Sequence, residues 1–390
     1  MKHCVKLAII YMARIFMRML YLFPVKKNRI LFSAHEGKRY NCNPKYIFEM
    51  LYEEYGDTYE YVWCISDPND IPIQYKVKCV KFMSLRHLFY LATSAVVISN
   101  MVIEPFVSKR KDRIFINTWH GGGAYKKGLV DTNFLPKLHC IYIAQLRNWR
   151  ISATDYVISG CQIFSELLSK QMHIDIERFL SIGMPRNDIF FQTEKHAAIR
   201  KQISKQYNID NNCMFLLYAP TFRGHWRAAS CIDLQFDPVK ICTAIQQRFG
   251  KPAVVLYRSH LMDKHQMLDN IVDVSNYPDM QELLVAADIL ISDYSSSIWD
   301  YSFTYKPGFL YTPDLDDYKR DTDFHYPIDS WQYPHARSMD ELCSAVLDYD
   351  ESAAIARIKK HHNDLGSFET GNATKSICRI IHEYTSSKSE

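Results

Sequence analysis

Residues 287–300 read ADILISDYSSSIWD, and this segment decides the fold class. An apolar run at 288–292 passes directly into a Ser-rich turn and then into a helical pattern, the order of a buried strand, a loop and a helix. Similar runs recur from Arg29 onward and alternate with stretches of helical periodicity. This alternation predicts parallel, doubly wound α/β sheets whose ligands bind beyond the carboxyl ends of the strands.

Two sets of predicted strands indicate two domains. The first set lies at 29–34, 60–65, 76–82, 95–99, 114–118, 155–159 and 179–183, and the second at 213–218, 252–257, 271–274, 288–292 and 308–311. Helical patterns occupy 44–54, 84–93, 162–172, 193–206, 236–248, 279–286, 296–304, 339–349 and 371–384. Because the charged stretch at 193–206 separates the two sets, we place the domains at 29–192 and 193–390 and expect a ligand in a cleft between them.

Composition excludes several classes of protein. The 390 residues are 47% hydrophobic and 14% aromatic, unlike a disordered chain. The formal net charge is +4, but residues 1–30 hold seven Lys and Arg and no acid, leaving 40 basic and 43 acidic residues elsewhere. Such a weakly acidic body argues against a nucleic-acid partner. Eleven scattered cysteines without a CxxC pair fit reduced thiols in the cytoplasm, with no zinc ribbon.

The basic segment at 1–28 predicts an amphipathic helix. Spanning a bilayer takes about 20 apolar residues, and the runs here are interrupted by Arg14 and Arg18. Lys2, Lys6, Arg14 and Arg18 fall on one side of a helix, and apolar surface comes from Leu7, Ile10, Tyr11, Ile15, Phe16, Met19 and Leu22. We expect this helix to lie on an anionic membrane surface. A helix packed on the protein body and a secretory signal, for which a small-residue cleavage site is lacking, are the alternatives.

Two motifs follow strands of the first domain. Residues 117–123 read NTWHGGG, where His120 is a candidate base beside backbone that a ligand can approach closely. A hydrogen-bonded structural histidine is the alternative, and the oxyanion hole of lipases is excluded because no G-x-S-x-G elbow is present. Residues 183–188 read GMPRND, which fits a plain turn with an Asn or Asp helix cap, or else a cleft-facing Arg186.

Three motifs of the second domain suit an anionic ligand. Thr221 and Arg223 follow one strand, and Arg258 with His260 follow the next. Residues 293–297 offer hydroxyls and N–H groups at a predicted helix N-terminus, a setting that suits phosphate. Acidic residues between 314 and 323 suggest a metal site or, more simply, a solvated loop. A P-loop sequence is absent.

These motifs in this order resemble the CDP-glycerol glycerophosphotransferase family. The resemblance runs from about residue 110 to about 325 and is most specific at Asp293-Tyr294-Ser295-Ser296, followed by Lys306-Pro307 and Tyr311. It implies a GT-B fold of two Rossmann-like domains and peripheral attachment to the cytoplasmic face of a bacterial cell membrane. It also implies transfer of glycerol or ribitol phosphate from a CDP-alditol to a lipid-linked or polymeric glycan, with CMP released, in teichoic acid or capsule synthesis.

The resemblance also implies roles for individual residues. The catalytic residues would be His120, as the base that deprotonates the acceptor hydroxyl, and His260. Donor binding would fall to Thr221, Arg223, Arg258, Asp293, Ser295 and Ser296, and the acceptor side to Trp119, Gly121, Gly122 and Arg186. No metal or cofactor is required in this scheme, and self-association into a homo-oligomer is left open. We expect the rate to fall as the pH drops through the pKa of His120, near ~6.5 if that pKa is unperturbed.

The sequence departs from the family pattern at several positions. Gly122-Gly123 stands where Thr-Pro is common, and Arg320-Asp321 stands where Arg-Gly is usual. The long extra N-terminal region of the large polymerases is lacking, which favours a primase-like or capsule-type enzyme. Two alternatives remain at this stage: a GT-B glycosyltransferase using another donor such as CMP-sialate, and a non-catalytic membrane-bound adaptor.

Overall fold

The computed structural model describes residues 2–123, 125–127, 137–221, 224–225, 228–229, 236–259, 271–321 and 324–387. The chain divides into two compact units. Unit 1 comprises residues 1–120, 129–188 and 368–390, and unit 2 comprises residues 121–128 and 189–367.

Unit 1 is built on a parallel sheet of seven strands in the order β3-β2-β1-β4-β5-β6-β7. The strands are β1 (Lys26–Ser33), β2 (Glu60–Cys64), β3 (Lys78–Val80), β4 (Ser94–Ser99), β5 (Ile114–Asn117), β6 (Tyr156–Ser159) and β7 (Phe179–Ser181). Its helices are α1 (Lys2–Leu20), α2 (Cys42–Tyr55), α3 (Leu85–Thr93), α4 (Lys137–Ala153), α5 (Gln162–Met172) and α13 (Ala373–Ser386). The order of the strands reverses between β1 and β4, and such a switch point opens a crevice where ligands bind.

Helix α1 packs on unit 1 and is not a separate element. Met17 is 1% exposed and joins the buried cluster that contains Leu31 and Val97. Arg14 donates to the carbonyl of Pro105 and lies 4.6 Å from the centre of the Trp149 ring. The prediction that Arg14 shares a basic face with Lys2, Lys6 and Arg18 is therefore wrong, because its guanidinium is held against the protein. In the described part of the chain, no helix has the length and the hydrophobicity needed to cross a membrane.

The C-terminal segment returns to unit 1, which differs from the predicted second domain of 193–390. The carboxylate of Asp188 accepts the backbone N–H groups of Ala373 and Thr374, and so caps the first turn of α13. Thr374 also donates its hydroxyl to the carbonyl of Pro185. The cap of this helix therefore comes from a residue that is distant in sequence, and a boundary drawn from local patterns misses it.

Unit 2 holds a parallel sheet of six strands in the order β12-β11-β8-β13-β14-β15. The strands are β8 (Met214–Tyr218), β11 (Ala253–Tyr257), β12 (Ile271–Asp273), β13 (Ile289–Ser292), β14 (Gly308–Tyr311) and β15 (His335–Ala336), and a short antiparallel pair is formed by β9 (Gly224–His225) and β10 (Ala228–Ala229). The helices are α6 (Thr193–Tyr207), α7 (Pro238–Phe249), α8 (Met280–Ala286), α9 (Ser297–Ser302), α10 (Leu315–Asp321), α11 (Met339–Leu347) and α12 (Glu351–Leu365). The order of these strands reverses between β8 and β13, so unit 2 has a switch point of the same kind.

Candidate functional site

His120 lies beyond β5 in unit 1, in a turn that its neighbours hold. Asn117 Oδ1 accepts the backbone N–H of Trp119 at 2.9 Å, and Trp119 has a positive φ of 52°. The indole of Trp119 stacks on the His120 ring, with centroids 5.1 Å apart and planes inclined by 14°. His120 Nδ1 lies 2.9 Å from the carbonyl oxygen of Asn100. Because a carbonyl only accepts, Nδ1 carries the proton and Nε2 of the neutral ring is the basic atom.

The surroundings of His120 favour its neutral form. Desolvation by the surrounding protein lowers the pKa of His120 to about 4, the positive charge of Arg186 acts in the same direction, and the hydrogen bond to Asn100 opposes both. The residue nevertheless keeps a solvent-exposed surface, as a group that exchanges a proton with a substrate must. The expectation of a pKa near ~6.5 is therefore replaced by a lower one, and the imidazole is neutral at pH 7.

Asn43 is a buried residue of this region that the sequence analysis missed. Its Nδ2 donates to the carbonyls of Thr118 and Trp119 at 2.9 and 3.1 Å. Its Oδ1 accepts the backbone N–H of Arg186 at 3.0 Å. Asn43 therefore ties the turn before His120 to the segment that follows β7.

The GMPRND motif at 183–188 has a structural role. Asp188 caps α13, and Asn187 donates to Glu369 at 3.0 Å. Arg186 is 5% exposed, and its Nη1 donates to the sulfur of Cys42 at 3.3 Å. The interpretation of this motif as a turn with a helix cap therefore fits Asp188, which caps α13, and Asn187, which binds Glu369. Arg186, expected on the acceptor side, is buried beneath the surface and affects His120 through its charge.

The glycines after His120 belong to unit 2. Gly121 and Gly122 are buried. A Cβ on Gly123 would lie 2.3 Å from the ring of Tyr125, whose hydroxyl bonds Gln332 and His361. The departure from the family pattern at position 123 thus has a steric cause, because this placement of Tyr125 requires glycine there.

Asp293 joins the two strand ends at the switch point of unit 2. Its Oδ1 accepts the backbone N–H and the hydroxyl of Thr221 at 2.8 and 2.6 Å, and also the backbone N–H of Tyr294 at 2.6 Å. The side chain is 1% exposed. Its carboxylate thus orders the loops that follow β8 and β13, which agrees with a pocket-shaping role.

Ser295 and Ser296 follow in the same loop and are half-buried. Ser295 Oγ accepts the backbone N–H of Ser297 at 3.2 Å and the Ser297 hydroxyl at 2.9 Å. Helix α9 contains only six residues instead of the nine predicted, so its N-terminus contributes little field. An anion would be bound here mainly by hydroxyls and loop N–H groups.

The basic residues expected in unit 2 are described only in part. Arg258 follows β11 and donates from Nη1 to the carbonyl of Tyr277 at 2.8 Å. Arg223 and His260 lie outside the described residues. Lys306, in the segment that carries much of the resemblance, donates to the carbonyls of Val285 and Ala287 and so fastens the end of α8.

The acidic stretch at 314–323 is engaged in protein contacts where it is described. Asp314 accepts the hydroxyl of Tyr294 at 3.1 Å, and Asp316 pairs with Arg337. Among the described residues, no three His, Cys, Asp or Glu side chains come together as a metal ion would need.

Glu104, in the loop after β4, is a further titratable residue that the sequence analysis did not select. Burial raises the pKa of Glu104 to about 7, with a smaller contribution in the same direction from Glu36, whereas its own backbone N–H and Arg150 oppose the rise. Glu104 differs from the other glutamates only in its burial by tertiary packing, and no local sequence pattern marks it as a candidate site residue.

A family model and several curated relatives match the chain. The model, described as CDP-Glycerol:Poly(glycerophosphate) glycerophosphotransferase, matches residues 15–383. The teichoic acid poly(glycerol phosphate) polymerase of Staphylococcus epidermidis is 26% identical over 382 residues, covering 92% of this chain and 51% of that protein. The teichoic acid glycerol-phosphate transferase of Staphylococcus aureus is 26% identical over 374 residues, covering 91% and 93%. The chain thus spans about half the length of the first relative and nearly all of the second.

A solved structure shares the fold. The wall teichoic acid polymerase TagF superposes with a TM-score of 0.81 at 24% identity, over 100% of this chain and 97% of that one. This likeness concerns the fold and confirms the predicted GT-B class, with two Rossmann-like parallel sheets. Since the family model covers nearly the whole sequence, the chain belongs to the CDP-glycerol:poly(glycerophosphate) glycerophosphotransferase family.

Proposed function

We propose that this protein transfers glycerol phosphate or ribitol phosphate from a CDP-alditol to an acceptor hydroxyl on a lipid-linked or polymeric glycan. Family membership gives the reaction class. The observation that carries the proposal is the geometry of His120, whose Nδ1–H is held by a carbonyl while the ring is neutral and the residue keeps a solvent-exposed surface. Neither the CMP-sialate donor nor the non-catalytic adaptor is favoured by an observation of this kind.

In the proposed reaction His120 acts as the general base. Nε2 takes the proton of the acceptor hydroxyl as its oxygen attacks the β-phosphorus of the CDP-alditol. The bond from that phosphorus to the bridging oxygen breaks, and CMP leaves with the oxygen and the electron pair. The negative charge of the donor favours imidazolium, so the basicity of His120 rises when donor is bound.

Donor binding is assigned to the switch point of unit 2. Asp293 holds Thr221 and the start of the Tyr294–Ser296 loop in place, which presents the hydroxyls of Ser295 and Ser296 to a diphosphate. Arg258 would add positive charge, as would Arg223 and His260. Side chains that position the substrates and neutralise their negative charge can promote phosphoryl transfer without a metal site formed by protein ligands. We therefore propose a reaction that survives chelation of divalent ions.

The α1 helix supports a proposed attachment to the cytoplasmic face of the membrane. One side of α1 packs on unit 1, and apolar side chains on its remaining surface are exposed. They are Val5, Ile9, Tyr11, Met12, Ile15 and Met19, followed after the helix by Leu22 and Phe23. Lys6 and Arg18 are also exposed, so apolar and basic groups occur together, as in a helix that lies on anionic lipid.

The release of CMP tests the proposed reaction. Purified protein is supplied in turn with CDP-glycerol, CDP-ribitol and CMP-sialate, with and without a polyprenyl-diphosphate-linked disaccharide and with a chelator in a parallel series. Acceptor-dependent CMP release from one CDP-alditol, unchanged by chelation, is the expected result. Release from CMP-sialate alone would instead identify a glycosyltransferase, and donor binding without turnover on any acceptor would support an adaptor.

Membrane attachment is tested by substitutions on α1, because deleting the helix would also remove buried Met17 and the contacts of Arg14. Replacing Ile9, Met12 and Met19 by Ser should weaken sedimentation with vesicles that contain anionic phospholipid. The matched control replaces exposed Ile73, Leu85 and Val239 by Ser, which removes similar apolar surface elsewhere. Equal binding by both triple variants would rule out α1 as the contact.

A further inference from the structure

The switch point of unit 1 contains a second histidine, His35, that the proposed reaction does not use. It lies just beyond β1 in a turn whose three residues all have positive φ: 48° at His35, 57° at Glu36 and 77° at Gly37. Left-handed backbone is unfavourable for residues other than glycine and persists where surrounding contacts impose it, often at functional sites. The unfavourable backbone conformation at His35 therefore points to a functional role for the contacts that this residue makes.

Asn100, the first residue after β4, contacts His35 twice. Its Oδ1 accepts the backbone N–H of His35 at 2.8 Å, and its Nδ2 lies 3.1 Å from His35 Nε2. Because a backbone N–H only donates, the amide oxygen must face it, and the amide nitrogen must face the ring. An amide nitrogen also only donates, so His35 Nε2 is the acceptor and carries no proton. His35 is therefore neutral, with its proton on Nδ1.

The electrostatic surroundings of His35 agree with this tautomer. Burial lowers the pKa of His35 to about 4, and the positive charges of Arg186, Arg39 and Lys38 act in the same direction against the weaker effect of Glu36. The ring thus stays neutral at pH 7 and remains able to accept the amide proton.

The same asparagine holds His120. The main-chain oxygen of Asn100 accepts the Nδ1–H of His120 at 2.9 Å, while the two imidazole centroids lie 6.0 Å apart. The path between the imidazoles therefore runs through one residue. The Asn100 side chain is fixed by His35, and the Asn100 carbonyl fixes the tautomer and direction of His120.

We propose that His35 is a positioning residue for His120: by accepting the amide proton of Asn100 it fixes the peptide whose carbonyl orients the base. This inference rests on the proposed function, in which His120 Nε2 deprotonates the acceptor. An aspartate at position 100, like Asp293 at the matching place in unit 2, has no proton to donate to His35 Nε2 and would instead require a proton on that nitrogen.

Two amide substitutions at position 35 provide the test. His35→Gln keeps an acceptor that can reach the Asn100 amide, whereas His35→Asn tolerates positive φ but is too short to reach it. Relative to wild type, H35N is expected to lose about tenfold or more in kcat with little change in donor KM, as misplacement of a reacting group does. H35Q is expected to recover most of that loss.

Side-chain 15N spectra of the histidines supply a readout independent of turnover. In wild type and H35Q, His120 should be protonated on Nδ1 alone, and in H35N it should populate both tautomers. Asn100→Asp should move the His35 proton to Nε2, which checks the amide orientation in a second variant. Native kcat and an unchanged His120 tautomer in folded H35N would overturn the inference.

The two proposals fail in different ways. If folded H120N retains full turnover while H35N still shifts the His120 tautomer, the role of His120 as base is wrong and the link through Asn100 stands. If H120N is inactive while H35N matches wild type in both readouts, the base is supported and the positioning role of His35 is refuted.

Discussion

The two switch points share a construction and differ in charge. In unit 1 β4 ends at Ile98-Ser99 and Asn100 follows, and in unit 2 β13 ends at Ile291-Ser292 and Asp293 follows. In each unit the last of these side chains accepts a backbone N–H from the loop after the central strand, at 2.8 Å from His35 N or Thr221 N. In both sheets this bond joins the two loops that follow the strands flanking the switch point.

The difference lies in what else each side chain can do. Asp293 only accepts, and it gathers the Thr221 hydroxyl and the Tyr294 N–H, which orders a loop of hydroxyls. Asn100 both accepts and donates, and its neighbourhood keeps two imidazoles neutral. The switch point of unit 2 is therefore suited to presenting hydrogen-bond donors to an anion, and that of unit 1 to holding a base. We expect substitutions at the two points to affect different steps.

The largest effect is expected at His120. Replacing His120 by Asn removes the proposed base, and general-base catalysis contributes about 10²- to 10⁴-fold in rate. We expect a loss of kcat within that range, measured as CMP release at saturating donor. His173→Asn is the control, because His173 is an exposed histidine with left-handed backbone at the end of α5. A loss below about tenfold would show that another group takes the proton.

A smaller effect is expected at Asp293. In Asp293→Asn the bonds to Thr221 and Tyr294 lose an ionised acceptor, and hydrogen bonds to charged groups contribute about 1.5–3 kcal/mol. We therefore expect donor affinity to fall by about tenfold or more, since about 1.4 kcal/mol corresponds to a factor of ten. Calorimetry with CDP-glycerol measures this change. Unaltered affinity would mean that the loop after β13 does not bind the donor.

The pH profile separates free enzyme from complex. The proposed base His120 would act in its neutral form, and its pKa is lowered to about 4, so kcat/KM should stay level from pH 8 down to about pH 5 and fall below that. Bound donor brings negative charge and raises the pKa, so the acid limb of kcat should lie at higher pH than that of kcat/KM. Initial rates across a pH series measure both limbs. An acid limb of kcat/KM near pH 6.5 would show that the surroundings of His120 do not lower its pKa.

The C-terminal return to unit 1 can be probed at a glycine. Gly183 has a φ of +84°, and an added Cβ would lie 2.8 Å from a carboxylate oxygen of Glu369. Ala at a left-handed position costs about 1–2 kcal/mol, and the clash with the 368–369 segment should add to that in Gly183→Ala. Gly250→Ala is the matched control, because the φ of Gly250 is +72° and no atom lies within 4 Å of an added Cβ. Denaturant unfolding should show a larger loss in the free energy of unfolding for G183A than for G250A. Equal losses would contradict tight packing of Gly183 against residues 368–369.

Much of the fold could be predicted because buried parallel strands are continuous apolar runs. Every strand expected in both sheets is present. Helices α4, α10 and α12 were missed; α12 lacks a clear apolar face, since it buries only Ile358, His361, His362 and Leu365. The return of α13 to unit 1 was missed because its cap, Asp188, gives a local pattern that reads as a turn.

The site could be predicted where a residue stands in a distinctive local pattern. His120 stands out among three glycines, whereas His35 and Asn43 acquire their contacts only through tertiary packing. One further signal is present in the sequence, because Ile98-Ser99-Asn100 matches Ile291-Ser292-Asp293 at corresponding strand ends. That match distinguishes Asn100 from the other asparagines of unit 1 by its position alone.

The central claim is that the switch point of unit 1 serves proton transfer and that of unit 2 serves donor binding. The most direct test measures, on His120→Asn and Asp293→Asn side by side, the dissociation constant for CDP-glycerol and the rate of CMP release at saturating donor and acceptor. Division of the two roles predicts that H120N keeps wild-type affinity and loses turnover, whereas D293N loses affinity and retains most of its turnover at saturation. Joint loss of affinity and turnover in both variants would contradict it.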